Sequence, residues 1–328
     1  MAKQLAAEPI LEVNELVKKF PVYGPFGRLV GPKAHVNAVR EATFRMYEGE
    51  TYGLVGESGS GKSTTGRAIL GLTPATSGEV LYRGKDLVKL SQQELRSIRK
   101  DIQFVFQDPL SSLNPRKRIG DILEEPLIIH KIGNREQRQE KVFRILEVVG
   151  LQPEHYFRYP HEFSGGQRQR IGLARALIVN PKMMICDEPV SALDVSIQSQ
   201  ILNMLRGLQA ELGLTMLFIT HDISVVRYIS DRIGIMYLGA IVEEAPTDDL
   251  FAEPLHPYTK ALLSAVPDYT RSRLKERIVL KGEIPSPLSP PSGCAFHTRC
   301  PLATDKCRVD RPAASEVRPG HRVACHYV

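Results

Sequence analysis

The sequence predicts an α/β fold. The expected core is a mostly parallel sheet, accompanied by an antiparallel β subdomain, a helical subdomain and an irregular, Cys-containing C-terminal extension. Three observations carry that expectation. The apolar runs "TYGLVG", "KMMICDEP" and "TMLFITHD" read as short buried strands, and each is followed by a helical pattern, as in a parallel sheet covered on both faces. Residues 11–55 read instead as short strands with turns, and "EATFRMYEGE" alternates as a half-buried strand does. From Glu253 onward proline and turn residues dominate, with seven prolines between Lys281 and Gly320.

Taken in order, the elements follow from local chemistry. "PVYGPFGRLVGP", Pro21 to Pro32, is rich in Gly and Pro and reads as a loop. The strand Thr51 to Gly56 gives way to "ESGSGKSTTGRAILGL", where glycines pass into a helix. After a hairpin-like stretch, Ser91 and Glu94 form the capping box of a charged helix, and "DIQFVFQDP" is strand-like again. Residues from about 111 to 180 are mostly helical in pattern, and Pro181 closes the last of those helices. The expected division is 1–110 for the β subdomain and first half of the core, 111–175 for the helical subdomain, 176–252 for the second half of the core, and 253–328 for the extension.

Composition bounds the function. At 328 residues the chain can bury a large core, and hydrophobic and charged fractions of 42% and 24% are those of a soluble globular protein. No apolar run approaches the ~18 residues of a membrane span, and "MAKQLAAEPILEVNE" lacks the apolar region of a signal peptide, so the chain is expected in the cytosol. The net charge of +6 is concentrated: residues 271–328 hold 11 Lys and Arg against 5 Asp and Glu, which leaves 32 of each sign in residues 1–270. A basic tail of this kind reads first as a solvated face and second as a surface for nucleic acid or anionic lipid.

The motif "GESGSGKST" points to chemistry. Gly56, Gly61, Lys62 and Ser63 fit G-x-x-x-x-G-K-[ST] between a predicted strand and a predicted helix. Backbone N–H groups of Ser58, Gly59 and the helix start surround phosphates, Lys62 reaches the β and γ phosphates, and Ser63, followed by Thr64, offers a hydroxyl to Mg2+. These features define a phosphate-loop NTPase core. "MMICDEP" places Asp187 and Glu188 at the carboxyl edge of a buried strand, where open parallel sheets bind ligands. Asp187 can hold Mg2+ through water, and Glu188 can polarise the attacking water. Read alone, the two acids could equally cap a helix; beside a phosphate loop the catalytic reading is preferred. Cys186 is core.

"FSGGQRQR" raises a different question. Ser164 and Gln167 suffice for a capping box, yet Gly165 and Gly166 lie between them, each costing up to about 1 kcal/mol in a helix relative to alanine. Glycines at a helix start let an anion approach the backbone N–H groups.

Together, Gly56 to Thr64, "FSGGQ" at 163 to 167 and "CDEP" followed by "SALD" resemble the Walker A, signature, Walker B and D-loop elements of the ATP-binding-cassette ATPases. Order and spacing match over residues 11–250; Phe163 stands where leucine is more usual. The resemblance implies that two cassettes dimerise head to tail, and that Ser164, Gly165, Gly166 and Gln167 of one cap the γ-phosphate bound by the other. It further implies that Gln107 in "FQDP" senses Mg2+ and the γ-phosphate, that His221 in "ITHD" is the switch histidine, and that Phe20 stacks on adenine, with Tyr23 and Phe26 as weaker candidates.

"FQDPLSSLNPRKRIGD", "DEPVSALDVSIQSQILN", "HPYTKALLSAVP" and "GEIPSPLSPPSGCAFHTRCP" look like the oligopeptide and dipeptide importer branch, which also includes nickel transport subunits. That implies an ATPase on the cytoplasmic face of the membrane. It would be paired with a second related ATPase and two permeases, fed by an extracytoplasmic binding protein, with no nucleic acid. The helical subdomain would receive the permease coupling helices. A soluble cassette ATPase acting on nucleic acid or the ribosome is the rival reading, and such proteins usually carry two cassettes or a long coiled-coil insertion.

Four of the five cysteines, Cys294, Cys300, Cys307 and Cys325, fall in the last 35 residues, a pattern that in a cytosolic chain suggests metal more than disulfides. No tight C-x2–4-C knuckle is present. Four single thiolates suit a 4Fe-4S cluster better, and similar tails of the resembling branch are associated with one. His297, His321 and His326 keep a mixed zinc site open, and four reduced structural cysteines are the plain alternative.

Overall fold

The computed structural model describes residues 8–24, 31–108, 112–265 and 277–328. In chain order its strands and helices are β1 (Pro9–Tyr23), β2 (Pro32–Tyr47), β3 (Thr51–Val55), α1 (Lys62–Ile69), β4 (Ser77–Tyr82), β5 (Lys85–Asp86), α2 (Gln92–Asp101), β6 (Ile102–Val105), α3 (Ile119–Ile129), α4 (Arg135–Val148), α5 (Gly165–Leu177), β7 (Met183–Asp187), α6 (Val195–Leu212), β8 (Thr215–Thr220), α7 (Ile223–Ile229), β9 (Arg232–Tyr237), β10 (Ala240–Pro246), α8 (Thr247–Ala252), α9 (Pro257–Ser264), α10 (Asp305–Val309), β11 (Ser315–Arg318) and β12 (His321–Val323). They divide into two compact units. One holds residues 1–47, 51–89 and 220–328; the other holds residues 48–50 and 90–219.

The first unit contains the antiparallel sheet β2-β1-β4-β5. Ala42, Phe44 and Met46 of β2 are fully buried while Arg45 is exposed, the alternation read from the sequence. The expected loop at Pro21 differs: β1 continues to Tyr23, whose partner in β2 is Pro32. Pairing of β1 with β4 ends at Val17 opposite Ser77, so Pro21 lies where β1 has lost that neighbour and a missing N–H costs no ladder bond on that side. The same unit carries β3 parallel to β9, then β10 antiparallel to β9, with β12 and β11 added outside β10. The C-terminal extension therefore supplies two strands and two helices among the described residues, α9, with Pro257 at its start, and α10, that the proline-rich reading did not foresee. Its core joins Val55, Val226, Ile235, Tyr237 and Tyr258 to Phe296 of the extension.

In the second unit β6, β7 and β8 are parallel, and every residue of β7 and β8 is buried. The helices α3, α4 and α5 enclose a separate apolar core that includes Ile119, Leu123, Leu127, Val142, Leu146 and Ile171. The capping box of α2 forms as read, with Ser91 Oγ accepting from Glu94 N–H and Glu94 returning the bond to Ser91 N–H.

Candidate functional site

Within the first unit, β3 delivers the chain to the phosphate loop and α1 leaves it. Gly61, the residue before α1, has φ 105°, a conformation that L side chains rarely adopt, and an added Cβ would collide with the Ala38 carbonyl. The Gly61 N-cap makes no side-chain capping bond and no acid lies in the first turn of α1. The Lys62 ammonium is buried and donates to the carbonyls of Gly56 at 2.8 Å and Glu57 at 3.0 Å. The two carbonyls fix the ammonium at the base of the loop. Ser63 and Thr64 follow on the first turn, half-buried, while Ser58 and Gly59 are exposed at the loop tip. Phe20 is 38% exposed near the end of β1, with Lys18 Nζ 4.8 Å from its ring centre. Tyr23 is similarly exposed, and Phe26 lies outside the described residues. His221 is exposed at the end of β8; the cap of α7 is made by Asp222, which accepts from Ser224 and Val225 N–H.

Within the second unit, Asp187 ends β7 fully buried, and Glu188 follows at φ 48°. A left-handed glutamate costs about 1–3 kcal/mol and persists only where the surroundings impose it. Here they do: Glu188 N–H donates to Ile219 O at 2.9 Å, and its own carbonyl accepts from Ser191 Oγ at 3.1 Å. The carboxylate is thereby aimed at Gln107, whose Nε2 donates to Glu188 Oε2 at 2.9 Å. Gln107, Glu188 and Gly165 line one cavity of about 140 Å3, together with Arg168 and Leu193. Burial, then the charge of Asp187, pushes the Cys186 thiol up to about 12, in keeping with an inert core residue.

Ser164 and Gln167 form the expected capping box of α5, with Ser164 Oγ accepting from Gln167 N–H at 3.3 Å and Ser164 N–H donating to Gln167 Oε1 at 3.1 Å. The two glycines differ from one another. A Cβ on Gly165 would meet nothing nearer than Leu193 Cδ2 at 4.0 Å, whereas a Cβ on Gly166 would lie 2.5 Å from Ile197 Cγ2 on α6. Gly166 thus has a local packing reason that the sequence did not reveal, and Gly165 alone is left without one.

The metal expectation for the tail is corrected as a single-ion site. Among the described residues no group of three or more His, Cys, Asp or Glu could hold a metal ion. The histidines that kept zinc open are engaged elsewhere: His321 Nε2 lies 2.8 Å from Glu243 Oε1 inside the core, His326 Nε2 lies 2.9 Å from Asp310 O, and His297 Nδ1 lies 2.9 Å from Cys294 O. All four tail cysteines are unpaired by disulfides, and Cys294 N–H donates to Cys307 O at 2.8 Å. Burial raises the Cys294, Cys300 and Cys325 thiols above their ordinary value, and the charges of Cys307, Cys300 and Cys325 push Cys294 the same way.

A phosphate loop on one unit, with a strand-end acid pair and a glycine-headed helix on the other, defines a nucleotide-hydrolysing cassette. Residues 39–191 match the family described as ABC transporter, and residues 242–307 match the C-terminal region of oligopeptide/dipeptide transporters. The chain is 55% identical over 324 residues to the oligopeptide transport ATP-binding protein AppF of Bacillus subtilis (strain 168), covering 97% of each chain. It is 52% identical over 319 residues to OppF of Salmonella typhimurium (strain LT2), covering 96% of this chain and 95% of that one. Among solved structures, a dimeric ATP-binding cassette in a post-hydrolysis state bound to ADP and Pi superposes with a TM-score of 0.65 at 31% identity, over 72% of this chain and 98% of the other. The chain belongs to the ABC transporter ATPases, and within them to the oligopeptide transport ATP-binding proteins. No helix among the described residues is long and apolar enough to cross a membrane.

Proposed function

We propose that this chain is the ATP-hydrolysing subunit of an importer for di- or oligopeptides, seated at the cytoplasmic face of the membrane. It works with a second, related cassette and two permeases, supplied by an extracytoplasmic binding protein, and nucleic acid has no part. The observation that carries the reading is the pairing, in one chain, of the phosphate-loop cassette with a C-terminal region matching that of the peptide transporters. The alternative cargo is nickel or another solute, since cargo meets the permeases and the binding protein. The helical segment 111–175 receives the permeases, and residues 253–328 form the extension that distinguishes this branch.

The donor set fits Mg2+, an oxygen-seeking ion: the Ser63 hydroxyl, the Asp187 carboxylate at a buried strand end and the Gln107 amide oxygen. When bound, the ion spreads and neutralises phosphate charge. Lys62 and the loop N–H groups of Gly56, Ser58, Gly59, Gly61 and Thr64 hold the phosphates, and Phe20 stacks on the base. Glu188 takes a proton from water as its oxygen attacks the γ-phosphorus, the bond to ADP breaks, and His221 contacts the γ-phosphate. Ser164, Gly165, Gly166 and Gln167 close over nucleotide held by the partner cassette. For the tail, we read a structural 4Fe-4S cluster on Cys294, Cys300, Cys307 and Cys325. A cluster takes one thiolate per iron, so the four sulfurs need not converge on one ion, and the Cys294 N–H bond to Cys307 O at 2.8 Å supports the nearness of two of them.

Loss of peptide uptake on deleting the chain, restored by the wild type and not by Glu188→Gln, tests the function. Unchanged peptide uptake with loss of another solute would replace the cargo. Anaerobically purified protein that is colourless and iron-free would remove the cluster.

A further inference from the structure

The C-terminal extension touches the phosphate loop itself, at a residue the motif leaves unspecified. Glu57 directly follows Gly56, and its carboxylate receives both arms of the Arg299 guanidinium, at 2.7 Å from one nitrogen and 3.2 Å from the other. The Glu57 N–H donates to the Tyr258 hydroxyl at 3.0 Å. Both partners belong to the extension, and the Arg299 side chain is only 7% exposed. They are themselves fixed: Phe296 packs edge-on against Tyr237 at 5.2 Å and at a tilt against Tyr258 at 5.4 Å, and Arg299 lies over the Tyr237 ring. From Glu57 the linkage continues inward, because the Glu57 carbonyl accepts from Lys62 Nζ and from Ser60 N–H.

The arrangement has an electrostatic logic. A loop built to hold a polyphosphate has a carboxylate one residue from its first glycine, and an ionised carboxylate there opposes the ligand. A bidentate guanidinium is the side chain best suited to neutralising it at fixed geometry. The geometry points to Arg299 as a positioning residue of the nucleotide site: it neutralises Glu57 and, with Tyr258, fixes the loop, so that the extension sets the affinity of the cassette for nucleoside triphosphate. This deepens the nucleotide-site reading of Gly56 to Ser63 and rests on it.

The test titrates the full chain with ATP and Mg2+ by calorimetry, with melting temperature as a folding control. Arg299→Ala should weaken ATP binding about tenfold, the Coulomb effect of one uncompensated carboxylate in the phosphate loop, and the defect should shrink as salt is added. Arg299→Lys, which keeps the charge and loses the two-armed fork, should fall between the two, about threefold weaker than wild type. In a Glu57→Gln background, adding Arg299→Ala should change affinity less than about twofold, since no carboxylate remains to be neutralised. Wild-type affinity in a folded Arg299→Ala chain would overturn the proposal, as would an equal loss with and without Glu57. If Arg299→Ala fails to fold, Arg299→Lys compared in the wild-type and Glu57→Gln backgrounds decides the matter: a loss present with Glu57 and absent without it supports the proposal, and no loss in either overturns it. Normal ATP binding by Lys62→Ala would instead overturn the phosphate-loop reading itself, whatever the Arg299 series shows.

Discussion

Replacing Gly165 and Gly166 by alanine, one at a time, should produce two different defects. At Gly166 the new Cβ falls 2.5 Å from Ile197 Cγ2, well inside ordinary contact, and both atoms sit on helices that cannot easily yield. Overpacking of this kind costs about 1–3 kcal/mol, of which up to about 1 kcal/mol is returned by the better helix propensity of alanine. The net is a loss of about 1–2 kcal/mol, or roughly 2–6 °C in melting temperature. At Gly165 the nearest atom is 4.0 Å away, so alanine is sterically free and melting should not fall.

The functional expectation runs the other way. If the start of α5 closes over a partner's triphosphate, a methyl group at Gly165 lies where the phosphate must approach, and turnover in the assembled transporter should fall by about 10²-fold or more, comparable to losing one donor to a developing oxyanion. ATP binding by the isolated chain should be untouched. Thermal unfolding by circular dichroism and phosphate release by the reconstituted complex measure the two effects separately. Normal turnover by Gly165→Ala would refute the close approach, and unchanged melting of Gly166→Ala would refute the packing argument.

Three further outcomes are expected. Glu188→Gln should lower hydrolysis by ~10²–10⁴ while still binding ATP and accumulating a closed dimer, measured by phosphate release and size-exclusion chromatography; turnover within a few-fold of wild type removes Glu188 as the base. Lys62→Ala should lose ATP binding in calorimetry, because it removes the buried ammonium that the phosphate-loop reading places on the β and γ phosphates. His256 is buried where burial, then Lys260, lowers its pKa to about 3, so below the ordinary value near 6.5 the unfolded chain binds a proton that the folded chain refuses. Stability should therefore fall with acid at ~1.4 kcal/mol per pH unit from this group, and His256→Asn, which keeps an acceptor for the Tyr258 N–H, should be less acid-sensitive by about 2 kcal/mol at pH 5, read from denaturant melts at pH 7.5 and 5.

What could be read from the sequence was whatever depends on neighbours in the chain. The phosphate loop, the two capping boxes at Ser91 and Ser164, and the buried strands β3, β7 and β8 are set by residues within a few positions of one another. Pro21 misled because proline excludes a residue only from a strand with a donor-requiring neighbour, and whether β1 has one at that point depends on where β4 stops. The packing constraint on Gly166 was hidden for the same kind of reason, since its demand for space comes from Ile197, thirty-one positions away and on another helix.

The extension was the least legible part, and its chemistry explains why. Its prolines and turn residues correctly indicate a segment poor in regular structure, but they say nothing about what the segment touches. The strand β12 exists because β10 offers it an edge, and it is held there by the buried His321 and Glu243 pair, 78 residues apart. The clamp on Glu57 spans 242 residues, and Arg299 resembles any other basic residue of a basic tail until its partner is known. The sequence charge balance assigned that arginine to a solvated face; a 7% exposed guanidinium with both arms on one carboxylate is instead a committed charge. An excess of positive charge in a tail is thus no measure of what remains for a nucleic acid or lipid, because Arg299, Arg311 and Arg318 are each already paired with Glu57, Glu41 and Glu253 of the unit they fold against.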